Sequence, residues 1–224
     1  MATEFVYYHV PLSQPSRTVL LLLKLTNAPH KVHILDMRKG DHKKPEFLAV
    51  NPFGKVPVLV HGDFVLTESP AIAKYIARST KCDDHWYPAD VKKAARVDEY
   101  LSYQHTTVRK ASIAIAMTYV FIPRSTGKPA TEEDKNAAYK GLQDTLEGFE
   151  NYFLKDRPFV AGDKISIADL FALSEVILQC EMSGRDFLET RPKVKAWVDR
   201  CKEEFKPQFD LVFQPLYDFC ESLK

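Results

Sequence analysis

Strand-like segments are confined to the first third of the chain. Residues 4–10 combine valine, tyrosine and phenylalanine, as strands prefer, and residues 31–36 show a similar pattern. A leucine-rich stretch with helical spacing lies between them and ends at about Asn27. Two strands joined by one helix predict a parallel pair with a right-handed crossover. Because no strand pattern follows Cys82, we expect an α/β domain in front of an all-α domain.

Composition along the chain sets the expected domain bounds. An α/β domain is predicted for residues 1–82, a linker for residues 83–89 and a helical domain for residues 90–224. Neither glycine nor proline occurs in residues 91–119, which predicts one helix about 40 Å long. Asp90 should cap this helix. Further helices are predicted after Thr131, from Ser166 and Pro192, and near the C-terminus.

Local signals refine the α/β domain. His61-Gly62-Asp63 is predicted to be a hairpin turn between strands at residues 56–60 and 64–66, with glycine supplying a positive φ. Residues 45–49 form one short helical stretch.

Three serines stand where helices are expected to begin. Ser16 should cap the first helix, and Ser69, followed by Pro70, should open the helix after the hairpin. Ser166 and Asp169 have the spacing of a reciprocal cap, so both are assigned to stability rather than catalysis.

Charge and hydropathy exclude several classes of protein. Lysine and arginine number 31 against 30 acidic residues, so a net charge of +1 gives no overall attraction to nucleic acid or anionic lipid. No apolar run approaches the ~18 residues of a membrane span, and the N-terminus lacks a signal-peptide pattern. A cytoplasmic protein with neither nucleic acid nor membrane as partner is expected. Four widely spaced cysteines are expected to be buried thiols in a reducing compartment.

Familiar phosphate, nucleophile and metal motifs are missing from the sequence. The eight glycines are scattered and form no P-loop, dinucleotide fingerprint or GxSxG elbow. The seven histidines show no metal-binding spacing. No metal site is therefore predicted.

A proline interrupts the start of a strand in the run Asn51-Pro52-Phe53-Gly54-Lys55-Val56-Pro57-Val58-Leu59. Because proline cannot donate to a sheet ladder, Pro57 fits either an edge strand or a cis Val56–Pro57 bond. The cis form would leave the backbone of Val56 free to pair with an extended peptide. Only about 5% of X-Pro bonds are cis, so proline chemistry alone favours the edge strand.

A carboxylate and a hydroxyl stand together in the run Leu66-Thr67-Glu68-Ser69-Pro70-Ala71-Ile72. Helix N-termini bind anions through free N–H groups, so Ser69 is a candidate to hold a ligand carboxylate. Glu68 is a candidate to accept from a ligand ammonium, and the pair would suit an amino-acid-like head group. Capping by Ser69 is the commoner role and does not exclude this one.

Together these segments resemble the cytosolic glutathione transferases. The resemblance rests on the N-P-x-G-K-V-P-x-L and T-E-S-x-A-I runs and on Ser-Ile-Ala-Asp at 166–169, and it covers essentially the whole chain. Three further runs are most similar to the theta class: Leu12-Ser13-Gln14-Pro15-Ser16-Arg17, Arg96-Val97-Asp98-Glu99-Tyr100 and Gln104-His105-Thr106-Thr107.

The resemblance implies a fold and an activity. The fold would be a thioredoxin-like N-terminal α/β domain that binds glutathione and an all-α helical bundle that contributes the electrophile pocket. The protein would be a homodimer that conjugates glutathione to hydrophobic electrophiles in detoxification. Glutathione would be a co-substrate, and no cofactor is implied.

The resemblance also implies roles for individual residues. Ser13 would donate a hydrogen bond to the glutathione sulfur, and Arg109 would add positive potential near that sulfur. The glutathione-binding residues would be His42 and Lys43 near the glycine carboxylate, Lys55, Val56 and cis-Pro57 along the middle, Glu68 and Ser69 at the γ-glutamyl head, and Thr106 one turn before Arg109.

A serine hydroxyl can activate a thiol without a base. A free thiol titrates at about 8.5, and raising its acidity about a hundredfold needs about 2.7 kcal/mol. A hydrogen bond to a charged group contributes about 1.5–3 kcal/mol and a helix N-terminus about 0.3–1 kcal/mol. Ser13 should therefore be a donor rather than a nucleophile. Its rivals are Tyr8 and Ser16, but Ser16 is expected to cap the helix, and Tyr7 and Tyr8 to pack or line the electrophile pocket.

Two other functions remain open from the residues alone: a non-catalytic ligand-binding protein and a protein-assembly module of the same fold. The intact set of Ser13, Lys55, Glu68 and Ser69 favours an enzyme. Conjugation, peroxide reduction and dehalogenation all begin from the same thiolate, so any of these reactions fits the sequence.

Overall fold

The computed structural model describes residues 4–223, and contacts divide the chain into two units. The sheet unit extends to Tyr87 and also includes Phe205–Pro215, whereas the helical unit comprises Pro88–Glu204 and the chain from Leu216 onward. The first division falls within the expected linker at residues 83–89. No pattern in the sequence indicated that Phe205–Pro215 belongs to the sheet unit.

A mixed four-stranded sheet is the framework of the sheet unit. Its order is β2-β1-β3-β4. β1 and β2 are parallel, and β3 is antiparallel to β1 and β4. The predicted parallel pair and hairpin are confirmed, and Gly62 in the hairpin turn has a φ of 64°. The strands are β1 (Phe5–His9), β2 (His30–Ile34), β3 (Val58–His61) and β4 (Phe64–Leu66).

Three α-helices complete the N-terminal part of the sheet unit. They are α1 (Gln14–Leu25), α2 (Pro45–Leu48) and α3 (Ser69–Ser79). α1 contacts α3, and the predicted burial of the leucine run in α1 is confirmed by Leu21, Leu22 and Leu23 at 0% exposure. Single 3₁₀ turns occupy Asp41–Lys43 and Asp84–Trp86.

The helical unit consists of consecutive helices and two π-helical segments. α5 contacts both α7 and α8, and α4 contacts α8. α8 is buried along nearly its whole length. The helices are α4 (Val91–Thr106), α5 (Val108–Ala116), α6 (Ile122–Thr126), α7 (Glu132–Gly148), α8 (Ile167–Ser183) and α9 (Pro192–Glu204), and the π segments are Met117–Phe121 and Phe149–Leu154. The last helix, α10 (Gln208–Glu221), is divided between the units: it belongs to the sheet unit up to Pro215 and to the helical unit from Leu216.

The single long helix expected at residues 91–119 is a series of segments. Thr107, with φ −114° and ψ −71°, separates α4 from α5. The π segment and α6 then continue the helical course to Thr126. The predicted cap is confirmed, because Asp90 Oδ1 accepts hydrogen bonds from the backbone of Lys92 and Lys93.

The expected caps by Ser16 and Ser69 are wrong, whereas that by Ser166 and Asp169 is confirmed. The cap residue of α1 is Ser13, and Ser16 lies inside the first turn with no exposure. The cap residue of α3 is Glu68, whose carbonyl accepts the first helical hydrogen bond from Ile72 at 2.9 Å. In both cases the chain enters the helix earlier than the capping preference predicts.

All four cysteines are free thiols. Cys201 and Cys220 are buried as expected, but Cys82 and Cys180 are only half-buried. Burial nevertheless raises the pKa of the Cys180 thiol to about 11. Among residues 4–223, no helix has both the length and the apolar character that crossing a membrane requires.

Candidate functional site

One edge of the sheet collects the segments that the sequence singled out. Because β1 and β2 are parallel, both end at this edge. β3 starts there, since Val58 pairs with Tyr8, and β4 returns to it, since Leu66 pairs with Leu59. The predicted site residues of the sheet unit lie on the segments joined to these strand ends: Ser13, His42, Lys43, Lys55, Val56, Pro57, Glu68 and Ser69.

Ser13 stands at the start of α1, and its hydroxyl makes no hydrogen bond to the described residues. Its N–H donates to the carbonyl of Val10 at 3.0 Å, and its carbonyl accepts from the N–H of Arg17 at 2.9 Å. The half-buried side chain makes no capping hydrogen bond. The hydroxyl is therefore available as a donor at the positive end of the helix.

Of the two rivals of Ser13, Ser16 is buried and Tyr8 is half-buried, and the neighbouring Tyr7 is buried as well. The Tyr7 side chain has no exposure, and its hydroxyl donates to the Ser16 carbonyl at 2.7 Å. Burial raises the pKa of Tyr7 well above its usual value. Ser16 is also fully buried. Tyr8 alone is half-buried, with its ring centroid 5.1 Å from that of His33.

The turn before β3 leaves backbone groups of Val56 unused. The Val56–Pro57 bond is cis, as the resemblance implied and against the edge-strand alternative. β3 begins only at Val58. Within residues 4–223, the backbone of Val56 makes no hydrogen bond. Its N–H and carbonyl are therefore available to an extended ligand.

Asn51 supports this turn from inside, a role that the sequence reasoning missed. Its side chain is 1% exposed. The amide nitrogen donates to the Lys55 carbonyl at 2.7 Å, and the amide oxygen accepts from the Phe53 N–H at 3.1 Å. The Asn-Pro dipeptide was a turn signal that could have drawn attention to this residue.

Glu68 and Ser69 begin α3 in an unusual conformation. Glu68 has φ 65° and ψ 106°, a region that non-glycine residues rarely adopt and that is concentrated at functional sites. The Glu68 side chain is exposed, and Ser69 is 8% exposed. Because Ser69 lies inside α3 rather than at its cap, the capping explanation for this serine no longer holds.

His42 and Lys43 lie in the 3₁₀ turn after β2. The buried His42 Nδ1 has no hydrogen-bond partner among the described residues. A Cβ at Gly54 would lie 3.0 Å from the His42 carbonyl, and Gly54 has φ 61°. This close approach connects the His42 segment with the turn that carries Lys55. Both Lys43 and Lys55 are exposed.

Arg109 and Thr106 belong to the helical unit. Thr106 is the exposed last residue of α4. In α5, the Arg109 Nη1 lies 3.7 Å from the Glu175 Oε1, with the two side chains 25% and 2% exposed. Sequence reasoning missed Glu175, because it stands within the apolar run of α8 and nothing in that pattern marks a partner.

An apolar row continues from Arg109 along the same helical course. Ile113, Met117 and Phe121 follow at intervals of four residues and are 42%, 40% and 40% exposed. Residues four apart share a helix face. The spacing was visible in the sequence and could have predicted this row.

Potential metal ligands do not cluster in the part of the chain that the structure describes. Between residues 4 and 223, no group of three or more histidine, cysteine, aspartate or glutamate side chains could hold a metal ion.

The sequence matches two family models, the glutathione S-transferase N-terminal domain over residues 13–79 and the C-terminal domain over residues 111–204. The chain belongs to the glutathione S-transferase family. Its fold is accordingly the expected one, a thioredoxin-like sheet domain with a C-terminal helical domain.

Similar proteins place this glutathione transferase near the theta class. Glutathione S-transferases theta-1 of Bos taurus and Homo sapiens are each 41% identical to it over 189 residues, which cover 84% of this chain and 78% of the relative. The predicted resemblance and the expectation of an enzyme are confirmed.

Solved structures of theta-class enzymes have the same fold. Human glutathione S-transferase T1-1 in its apo form is 36% identical, with a TM-score of 0.90, and the match covers 95% of this chain and 89% of that one. A human theta-class enzyme in complex with the glutathione conjugate of 1-menaphthyl sulfate is 33% identical, with a TM-score of 0.91 and coverages of 97% and 89%.

Proposed function

We propose that this glutathione transferase lowers the pKa of the glutathione thiol through a hydrogen bond from Ser13 and conjugates the thiolate to hydrophobic electrophiles. The Ser13 hydroxyl carries the proposal, because it is half-buried, makes no capping bond and lies at the N-terminus of α1. A donor in this place stabilises a thiolate more than a thiol. The thiolate then forms a carbon–sulfur bond with the electrophile, and a leaving group departs with its electron pair.

The edge of the sheet offers matching groups for the rest of glutathione. The exposed Glu68 would accept from the γ-glutamyl ammonium, while Ser69 and the start of α3 would bind its carboxylate. The unused backbone groups of Val56, next to Pro57, would pair with the cysteinyl residue. His42 and Lys43 would place donors near the glycine carboxylate, and Lys55 would donate to the middle of the peptide.

The helical unit would supply the electrophile surface. Ile113, Met117 and Phe121 form an exposed apolar row that continues from Arg109. Apolar side chains with one placed charge are the usual lining of a small-molecule site. Arg109 would add positive potential, and Thr106, three residues earlier, would lie beside it.

Relatives support glutathione as the co-substrate. One theta-class structure holds a glutathione conjugate, and another, human theta-2, holds glutathione. Peroxide reduction and dehalogenation would start from the same thiolate.

The likeness to theta-class enzymes also leads us to propose a cytoplasmic homodimer that acts in detoxification. Sedimentation of the purified chain would test whether it is a dimer.

A conjugation assay with two serine variants tests the proposal. With 1-menaphthyl sulfate and glutathione at pH 7, Ser13→Ala should lose about 10- to 100-fold in kcat/KM, since the hydrogen bond of the hydroxyl, worth about 1.5–3 kcal/mol, disappears while the helix N-terminus stays. Ser16→Ala is the matched control, because that hydroxyl is fully buried three residues away, and it should stay within about threefold of the wild type. Wild-type activity in Ser13→Ala would refute the assignment.

A further inference from the structure

Arg17 is a fully buried guanidinium in the first turn of α1. Its exposure is 0%, whereas arginine is almost never completely buried unless it is paired. Burying a charge is unfavourable unless the surroundings compensate it. The groups that contact the Arg17 guanidinium therefore have to compensate its charge.

Arg17 binds the loop that carries Ser13 at two points. Its backbone N–H donates to the Ser13 carbonyl at 2.9 Å. Its side-chain Nη1 donates to the Pro11 carbonyl at 3.0 Å. Together with the bond from the Ser13 N–H to the Val10 carbonyl at 3.0 Å, these contacts fix both ends of the Pro11–Ser13 segment.

α10 supports the other side of the guanidinium. The Arg17 Cζ lies 5.2 Å from the ring centroid of Phe213, within the range of a cation–π contact. Phe213 has no exposure and stacks on Phe209 with a centroid distance of 4.3 Å. Arg17 thus connects the Ser13 loop to the segment of α10 that belongs to the sheet unit.

Arg17 affects its neighbours through its charge in addition to its hydrogen bonds. His9 ends β1 just before the loop, and burial together with the Arg17 charge lowers the pKa of His9 to about 4. A positive field that disfavours a second cation there also favours an anion, such as a thiolate, nearby.

We propose that Arg17 is a positioning residue for Ser13, holding the Val10–Ser13 loop against α10 and adding fixed positive charge beside it. The inference rests on the proposed function and deepens it. Preorganised donors and charges stabilise developing charge without reorganising during the reaction. The Ser13 hydroxyl would therefore be in position to donate to the glutathione sulfur before glutathione binds.

The test compares Arg17→Met and Arg17→Lys with Phe5→Leu as a control. Phe5 is 3% exposed and begins β1 at the edge of the sheet opposite Ser13, so its replacement lowers stability without touching the loop. Four quantities are measured for each variant: the thermal midpoint, the KM for glutathione, kcat, and the thiolate absorbance of bound glutathione against pH, at a temperature where all variants are folded.

Arg17→Met should reduce the bound thiolate fraction at a given pH about tenfold, with a parallel loss of kcat and a smaller change in KM. Arg17→Lys keeps the charge and should recover part of the thiolate. Phe5→Leu should lower the thermal midpoint and leave the thiolate titration unchanged. If Arg17→Met does not fold, Arg17→Lys and Phe213→Leu, which weakens the cation–π contact, provide the same comparison.

The outcomes separate this inference from the proposed function. If the wild type and Ser13→Ala titrate as proposed but the Arg17 variants titrate like Phe5→Leu, Arg17 is only structural and the inference is overturned. If glutathione on the wild type titrates like the free thiol, both the proposed function and this inference fail.

Discussion

Buried polar residues at the junction of β1 and α1 set the chemistry around the Ser13 loop. His9 is 4% exposed, and Ser16 and Arg17 have no exposure. His9 Nδ1 and Ser16 Oγ have no hydrogen-bond partner among the described residues. Buried polar atoms without partners reduce stability. A proton on His9 would add a second buried positive charge near Arg17, so the folded protein favours neutral His9.

The buried His9 predicts a loss of stability in mild acid. Its pKa is lowered from 6.5 to about 4, mainly by burial. Between these values the unfolded chain binds a proton that the folded chain does not, so stability falls as pH decreases through this window. The loss should reach about 3 kcal/mol.

Urea unfolding between pH 7 and pH 4 measures this effect. His9→Gln should remove most of the pH dependence in that window. His105→Gln is the control, because His105 is exposed on α4, and it should follow the wild type. An unchanged pH dependence in His9→Gln would contradict the assignment.

Among the elements, the turns and helix starts at the edge of the sheet hold the proposed glutathione contacts. These segments include backbone positions with positive φ at Gly54 and Glu68. Such positions depend on their neighbours, because the backbone conformation is fixed by the packing around it. Substitutions in these turns should therefore affect binding and stability together.

Gly54→Ala should damage the turn before β3. The new Cβ would lie 3.0 Å from the His42 carbonyl at a φ of 61°, so we expect a loss of about 1–2 kcal/mol and a several-fold higher KM for glutathione. Gly141→Ala in α7 is the control, since nothing lies within 4 Å of its Cβ, and it should gain about 0.5–1 kcal/mol. Wild-type stability and KM in Gly54→Ala would show that the turn can adjust.

The cap of α8 is the strongest single anchor that we identify in the helical unit. Asp169 accepts from the N–H of Val160 and of Ser166, each at 2.9 Å, and from the Trp197 Nε1 at 3.0 Å. Asp169→Ala leaves these buried donors without partners and should cost about 3–5 kcal/mol. Thr131→Ala, at the exposed cap of α7, should cost about 1 kcal/mol.

In a Trp86→Phe background, unfolding followed by Trp197 fluorescence compares the two caps. Trp197 lies in α9 and is 1% exposed, so its emission reports on the helical unit. Equal losses in Asp169→Ala and Thr131→Ala would mean that burial adds nothing to the cap.

At the scale of the whole molecule, the sequence predicted the architecture better than the interior of the site. Strand patterns and a glycine turn were enough for the sheet, and its topology brings Ser13, Val56 and Glu68 to one edge. The burial of Arg17 and its contact with Phe213 could not be predicted, because they join segments almost 200 positions apart in the numbering. Local signals also misplaced two helix starts, where tertiary contacts outweigh capping preference.

The segment Phe205–Pro215 belongs to the sheet unit, so its buried side chains should stabilise that unit. Phe209 is 2% exposed, whereas Leu211 on the same helix is 62% exposed. Phe209→Ala should therefore destabilise the sheet unit by about 3–5 kcal/mol, and Leu211→Ala by less than about 0.5 kcal/mol.

The two tryptophans make this prediction measurable, since Trp86 belongs to the sheet unit and Trp197 to the helical unit. In a Trp197→Phe background, the emission of Trp86 reports on the sheet unit alone. A Phe209→Ala transition at the same midpoint as Leu211→Ala would mean that α10 does not stabilise the sheet unit.

The most direct test of the account is the titration of glutathione bound to the wild type and to Ser13→Ala, following thiolate absorbance against pH. We predict a thiol pKa well below that of free glutathione in the wild type and a return toward the free value in the variant. A wild-type thiol that titrates like free glutathione, or a lowered pKa that survives in Ser13→Ala, would contradict the role assigned to Ser13.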